Sequence, residues 1–201
     1  AVNLSEATFK LVDQLFGSYG LIVLEPNQKV LKSLFSPIIK DELTNASSFK
    51  SVTEQINLIK TNYNKKYTPQ VNPREINLFY LTPQGRYRIK KTKNGFSLIG
   101  AELNFTKDTF FKILKKYPER FSPNVILRPL YQEIILPNLH YIGGGGEIAY
   151  WLQLKKNFDR YGVPFPLLLL RNSALIYSNK LRKKIDTVSY THLTLPTTRC
   201  G

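Results

Sequence analysis

The sequence predicts an α/β fold: a parallel sheet core with a small antiparallel β insertion. Three observations predict it. Short apolar runs, Leu21 to Leu24 and Leu167 to Leu170, alternate with stretches of helical periodicity, the succession that builds parallel sheets. A run of four glycines, Gly143 to Gly146, lies between an apolar segment and a helical one. The middle of the chain changes to short segments separated by "TPQG" and "TKNG", which are hairpin turn sequences.

The elements follow in order. Phe9, Val12, Leu15 and Phe16 recur at three-to-four spacing and predict a helix over Leu4 to Phe16, stopped by Gly17 and Gly20. Leu21 to Leu24 predicts a short buried strand, and Asn27 caps a helix through Phe35. The loop Glu25-Pro26-Asn27 then falls at a strand's carboxyl end, where parallel sheets hold ligands, although a plain turn explains it as well. Pro37 opens a second helical stretch toward Lys60, with Ile38, Ile39, Leu43, Val52, Ile56 and Ile59 as its stripe and "NASS" weakening its middle. After the proline-marked linker "YTPQVNPRE", strands are predicted at Asn77 to Tyr80, Arg86 to Lys91 and Phe96 to Ile99. Thr106 caps a helix over Lys107 to Lys116, and Ser122-Pro-Asn starts the next. Leu139 to Ile142 predicts a strand, Glu147 to Tyr161 a helix, and "PFPLLLLR" a last buried strand. The chain therefore divides into 1–60, an α/β part of the core with a helical insertion; 61–104, a β-meander insertion; 105–188, the continuation of the core; and 189–201, a non-native or disordered tail. That tail, "SYTHLTLPTTRCG", has no burial period and resembles translated adapter sequence, so its His192 and Cys200 are set aside.

The totals narrow the function classes. Of 201 residues, 42% are hydrophobic and 21% charged, enough for a sizeable core. There is no apolar run of about 18 residues, so no transmembrane helix is predicted. The N-terminus lacks a secretory pattern, and the absence of any Met suggests a start inside a longer protein. A single Cys and two distant histidines support neither a disulfide framework nor a metal site, and a cytoplasmic setting fits. The net charge of +15 attracts polyanions. The positives are dispersed, however, as "KKY", "RYRIKKTK", "KILKKY" and "KLRKK". Nucleic acid is therefore not the expected partner, and a basic non-enzymatic α/β module binding nucleic acid or another polyanion is the alternative.

Two clusters carry candidate chemistry. The glycine run could cradle an anion at a helix N-terminus, but no Lys-Ser/Thr follows it and it is not G-x-G-x-x-G. Glu147 in the first turn complements the helix dipole itself and would repel a phosphate. An amine, hydroxyl or sugar suits that carboxylate better, and a tight turn with a dipole-stabilising Glu explains it equally. Tyr150, one turn on, can join Glu147 at a pocket. Asn124, Arg128 and Gln132 are spaced four apart and predict one polar helix face, where an Arg can hold a carboxylate or phosphate; a solvated face is the plain alternative. Arg86, Arg88 and Lys90 alternate on one strand face, exposed to solvent or touching an anionic ligand. No Ser–His or Cys–His pair can be assembled, so catalytic residues are unassigned and any catalysis would rest on positioning and electrostatics.

The segment "FSPNVILRPLYQEIILPNLHYIGGGGEIAYWLQLKKNFDRYGVPFPLLLLRNS", Phe121 to Ser173, resembles the bacillithiol biosynthesis cysteine-adding enzymes. "LFGSYGLIVLEPN", "LKSLFSP" and "VNPREINLFYL" are similar to the same family in the same order, so the resemblance covers Leu15 to Ser178. It implies a Rossmann-type nucleotide-binding core related to class I aminoacyl-tRNA synthetases, with insertions and a C-terminal coiled coil that makes a homodimer of the full-length protein. It implies a ligase joining cysteine to the amine of glucosaminyl-malate through an amide bond, the last step to bacillithiol. The family's glutamine- and glycine-rich nucleotide-contacting segment, its acidic-histidine segment and its coiled coil have no match in this chain. An internal fragment, inactive alone, is therefore expected, with an adenine nucleotide serving only the full-length enzyme and no cofactor assigned here. The positions that match the family's motifs, and so become substrate-pocket candidates, are Asn124, Arg128, Gln132, Gly143, Gly144, Gly146, Glu147 and Tyr150. The third glycine, Gly145, varies in the family and is not expected to be essential. No metal is implied.

Overall fold

Helix α1 forms where periodicity predicts it, Leu4–Phe16, with Asn3 Oδ1 accepting from the Glu6 N–H at 2.9 Å. A 3-10 turn, Gly17–Tyr19, follows, and Gly20 turns the chain at φ 81°. The computed structural model describes residues 2–188 apart from Asn64, so the expected tail at 189–201 lies outside the described residues. The chain divides at residue 170 into two units. In the second, helix α8 (Asn179–Val188) is the described element.

Leu21 to Leu24 does not form the expected strand. A strand needs a ladder partner for its backbone groups, and no described segment pairs with this one, so Leu21, Ile22 and Leu24 stay exposed. Helix α2 runs Lys29–Asn45 and passes through Pro37 instead of restarting there; the proline removes one donor without ending the helix. The break falls at "NASS", where Ala46 adopts φ 51° and α3 (Ser47–Asn62) begins.

The meander is larger than expected. β1 (Leu78–Thr82), β2 (Gly85–Thr92), β3 (Gly95–Ile99) and β4 (Leu103–Thr106) are joined by β5 (Phe121–Pro123) in the order β4-β3-β2-β1-β5. Every pairing in this sheet is antiparallel. Among the described residues the expected parallel core is therefore present only as the pair β6 (His140–Gly143) and β7 (Leu167–Leu170), with Gly143 opposite Leu170. β5 occupies the residues expected to start a helix, because the free edge of β1 pairs with them, Tyr80 opposite Phe121. Helix α5 consequently starts later, at Arg128–Ile135. α4 (Lys107–Lys116) is capped by Thr106 as predicted, its hydroxyl accepting from the Thr109 N–H at 3.3 Å. The expected helix Glu147 to Tyr161 is two, α6 (Gly145–Leu152) and α7 (Lys155–Tyr161), with the intervening Gln153 and Leu154 fully buried.

Helix α4 packs on β3 and β4, α2 on α4 and α5, and α3 on α7. Between α4 and the sheet, Phe110 meets Phe96 at 4.8 Å and Phe121 at 5.1 Å between ring centres. A second aromatic group, Trp151, Phe158 and Phe165, lies under α6 and α7, with Phe158 and Phe165 4.9 Å apart.

One buried polar cluster ties these layers together. Breaking the helix at Ala46 leaves the first N–H groups of α3 without helical partners, and Glu42, fully buried in α2, takes up that of Ser48. Its Oε2 accepts from the Ser48 N–H at 3.0 Å, and its Oε1 from Ser48 Oγ at 2.6 Å and from the Asn77 N–H at 2.9 Å. Asn77 extends the cluster: its Nδ2 donates to Glu42 Oε1 and to the Arg74 carbonyl, while its Oδ1 accepts from the Arg74 N–H and from Asn124 Nδ2, each at 3.0 Å. Replacing a buried acceptor of several donors leaves those donors orphaned. Glu42→Leu should therefore lower the unfolding free energy by about 3 kcal/mol. The exposed Asp159→Asn should stay within about 0.5 kcal/mol. Urea unfolding of both variants checks this, and equal midpoints would show that the cluster is not a stabilising unit.

Candidate functional site

The cluster positions the walls of a cavity of about 840 Å³. One wall is the linker Val71 to Arg74. Gln153 clamps its start, the Gln153 Oε1 accepting from the Gln70 N–H at 2.7 Å and its Nε2 donating to the Val71 carbonyl at 2.8 Å. Asn77 clamps its end through both backbone groups of Arg74. The remaining walls come from Phe79 and Arg86 on the sheet, from the Asn124 to Gln132 segment, and from Tyr141, Glu147, Tyr150 and Trp151 on β6 and α6.

Of the eight residues singled out from sequence, five line this cavity together: Asn124, Arg128, Gln132, Glu147 and Tyr150. Asn124 does so by a different route from the one expected. It precedes α5 instead of lying on its face, and its carbonyl accepts from the Arg128 N–H at 2.8 Å. Its side chain is committed to structure, the Oδ1 to the Ile126 N–H at 2.9 Å and the Nδ2 to Asn77. Gln132 Nε2 donates to the buried Glu133, whose Oε2 accepts from the Asn138 N–H at 2.8 Å and so sets the entry to β6. Arg128 has an exposed side chain.

The glycine run serves three purposes. Gly143 ends β6, Gly144 is the extended cap of α6, and Gly145 and Gly146 form its first turn. These three candidate glycines border the strand-to-helix turn and do not line the cavity. Glu147 Oε2 accepts from the Gly144 N–H at 2.7 Å, so the carboxylate caps its own helix and occupies the place an anion would take. Its Oε1 lies 3.4 Å from the Tyr141 hydroxyl. Tyr141 stacks on Trp151 with ring centres 4.0 Å apart. Burial, then the neighbouring Tyr150 and Glu147, pushes the Tyr141 hydroxyl up to about 12, so it remains a proton donor at neutral pH.

Sequence reasoning left Arg74, Tyr141 and Lys32 unassigned and did not choose among the cations of β2. The structure selects Arg86, whose guanidinium lies 3.9 Å from the centre of the Phe79 ring and donates to the Pro123 carbonyl at 3.0 Å. Burial, then repulsion from Arg128, shifts Arg86 down from its ordinary value. Among the described residues no salt bridge reaches Arg86 or Arg128. Lys32 had a legible signal: it falls on the α2 stripe with Phe35 and Ile39, where an apolar residue is expected. Among the described residues no group of three or more His, Cys, Asp or Glu side chains gathers. No described helix is long and apolar enough to cross a membrane.

Comparison with known proteins places this architecture. A family model described as bacillithiol biosynthesis BshC, N-terminal Rossmann-like domain, matches residues 1–172. The chain belongs to this family. It is 48% identical over 187 residues to "Putative cysteine ligase BshC" of Flavobacterium johnsoniae, covering 93% of this chain and 34% of that protein. The same-named protein of Christiangramia forsetii is 49% identical over 182 residues, covering 90% and 33%. That of Cytophaga hutchinsonii is 39% identical over 191 residues, covering 95% and 36%. The chain thus spans about a third of the length of the curated relatives it matches.

The family domain is Rossmann-like, yet the larger sheet here is antiparallel and, among the described residues, only β6 and β7 carry the parallel arrangement. The glycine turn belongs to that parallel pair, and its first residue is sterically constrained. A Cβ on Gly143 would lie 2.7 Å from Tyr141 Cε1 and 3.2 Å from Glu147 Cβ, whereas Gly145 and Gly146 face open space. Gly143→Ala should cost about 1–3 kcal/mol by displacing the Tyr141 ring. It should also alter the emission of Trp151, the only tryptophan. Gly146→Ala should leave both unchanged. Fluorescence-monitored unfolding separates them, and equal behaviour of the two variants would refute the steric assignment.

Proposed function

We propose that this chain forms part of a cytoplasmic cysteine ligase that joins cysteine to the amine of glucosaminyl-malate in the last step of bacillithiol formation. The observation that carries the proposal is the charge pattern of the cavity. Arg74, Arg86 and Arg128 stand on the linker, the sheet and α5, while Glu147 with Tyr141 stands on α6 and β6. Such a lining suits a substrate with an amine and carboxylates in one small molecule. Arg128 holds a carboxylate, as a guanidinium does through paired N–H groups. Glu147 Oε1 and the Tyr141 hydroxyl face the amine or a sugar hydroxyl. Tyr150 contributes an aromatic wall beside them.

The reaction forms a carbon–nitrogen bond: the sugar amine attacks the activated carboxyl carbon of cysteine, the bond from that carbon to the activating group breaks, and the nitrogen gives up a proton. On this proposal the residues of this chain contribute binding and orientation of the amine partner. Activation of the carboxyl, with an adenine nucleotide, belongs to the whole protein, which acts as a homodimer. No residue here is assigned to the nucleotide, and the chain alone is inactive.

The test uses the full-length protein. Arg128→Ala should lower kcat/KM for glucosaminyl-malate about 10-fold or more, since a hydrogen bond to a charged group is worth about 1.5 kcal/mol or more. Glu147→Gln should lower it less, because the amide still accepts a hydrogen bond. Unchanged bacillithiol formation in both variants, with unchanged melting, would remove the assignment.

A further inference from the structure

Beside the large cavity lies a smaller one of about 360 Å³ that shares two of its residues, Arg86 and Arg128. Lys32, Ser122 and Tyr131 line the small chamber and not the large one. Lys32 is the unusual member. It is only 2% exposed, and among the described residues no carboxylate forms a salt bridge with it. Its ammonium donates to the Phe121 carbonyl at 3.0 Å and lies 4.8 Å from the centre of the Tyr131 ring. An ammonium carries three donors, so one carbonyl and one ring face leave a buried cation under-satisfied. Tyr131 is itself fixed, its hydroxyl donating to the Pro26 carbonyl at 2.7 Å.

The neighbouring charges sharpen the demand. Burial, then repulsion from Arg128 and Arg86, lowers the Lys32 ammonium to about 8, opposed by Glu25. Glu25 is engaged elsewhere, accepting from the Asn27 N–H at 3.1 Å and from the Ser5 hydroxyl. Three cations drawn to one chamber repel each other, and an anion among them converts that repulsion into attraction. Arg86 lies over the Phe79 ring and donates to the Pro123 carbonyl, one bond for a guanidinium that carries five donors.

We propose that the chamber lined by Lys32, Arg86 and Arg128 is a binding site for a compact oxyanion group, a carboxylate or a phosphate, seated on Lys32. Because Arg86 and Arg128 line both chambers, an anion in the small one sets the charge that a ligand in the large one meets. The site stands on its own geometry and holds whichever reaction the large cavity serves.

The experiment is calorimetric titration of the chain with inorganic phosphate and, separately, with malate. Both should bind saturably at pH 7, and Lys32→Gln should weaken both about 10-fold or more. Lys112→Gln, the same charge loss at an exposed position of α4, should leave binding unchanged. Arg86→Gln, at an exposed position, gives the same readout as Lys32→Gln should the latter lower the melting temperature. Malate stays fully ionised between pH 7 and 9. Its affinity should therefore fall by up to about 10-fold across that range as Lys32 loses its proton, a fall absent in Lys32→Gln. A guanidinium keeps its charge over this range, and the Tyr131 hydroxyl, pushed up to about 12 by burial and by Glu25, stays neutral. Tighter phosphate than malate assigns a phosphate-bearing ligand, and the reverse a carboxylate; either supports the site. Absence of saturable binding by both anions, or equal weakening by Lys112→Gln, overturns it. The ligase proposal is decided separately, by bacillithiol formation in the full-length protein.

Discussion

The buried carboxylate of Glu42 is the constraint on which the rest depends. A helix interrupted inside a core exposes N–H groups that water cannot reach, and each must find an acceptor. Glu42 supplies it for α3 and also receives the backbone and side chain of Asn77. Asn77 sits just ahead of β1, and its own amide holds the backbone of Arg74 and the side chain of Asn124. Two cavity walls are thereby set by one connected network. A half-satisfied network of this kind would cost more than an apolar core, whereas a complete one specifies a single arrangement. The cluster is complete for Glu42, which has three donors on its two oxygens from Ser48 and Asn77 backbone and hydroxyl groups alone.

The cavity inherits its character from that rigidity. Its linker wall is held at both ends by side-chain amides, Gln153 and Asn77, which substitute for regular secondary structure. Its cations come from three separate elements, and two of them, Arg86 and Arg128, repel one another, which favours an anion between them. Its single carboxylate, Glu147, is anchored by the cap it makes on α6, which keeps one oxygen directed at Tyr141. The glycine turn works here through close packing of backbone on Tyr141 and Glu147, a steric role at Gly143, and not through a phosphate cradle.

Local signals in the sequence were reliable where one element decides the outcome. Helix α1, the Thr106 cap of α4 and strand β7 appear with the expected bounds, but β7 is not the buried strand expected, since Leu167, Leu169 and Leu170 are exposed. The polar residues spaced four apart do reach one cavity, although Asn124 arrives through a turn. Misreadings cluster where pairing between distant segments decides. Leu21 to Leu24 has strand composition but no described partner; Phe121 to Pro123 has helix-start composition but a partner in β1. Pro37 suggested a helix start, yet tertiary packing of Phe35, Ile38 and Ile39 carries α2 through it. Arg86 could not be told from Arg88 or Lys90 by alternation, because the choice depends on Phe79 and Pro123 of neighbouring strands.

By itself the sequence determined the α/β class, the family likeness, the turn chemistry and the residue types available to a polar site, because these follow from short-range periodicity, capping and motif order. Tertiary structure decided the rest. It made the larger sheet antiparallel, since strand direction is set by which edge a segment meets and not by its composition. It gathered Lys32, Arg86 and Arg128, which lie far apart in the chain, around one chamber. Like charges acquire meaning only when folding brings them within electrostatic reach at low dielectric, and no local pattern in the chain encodes that distance.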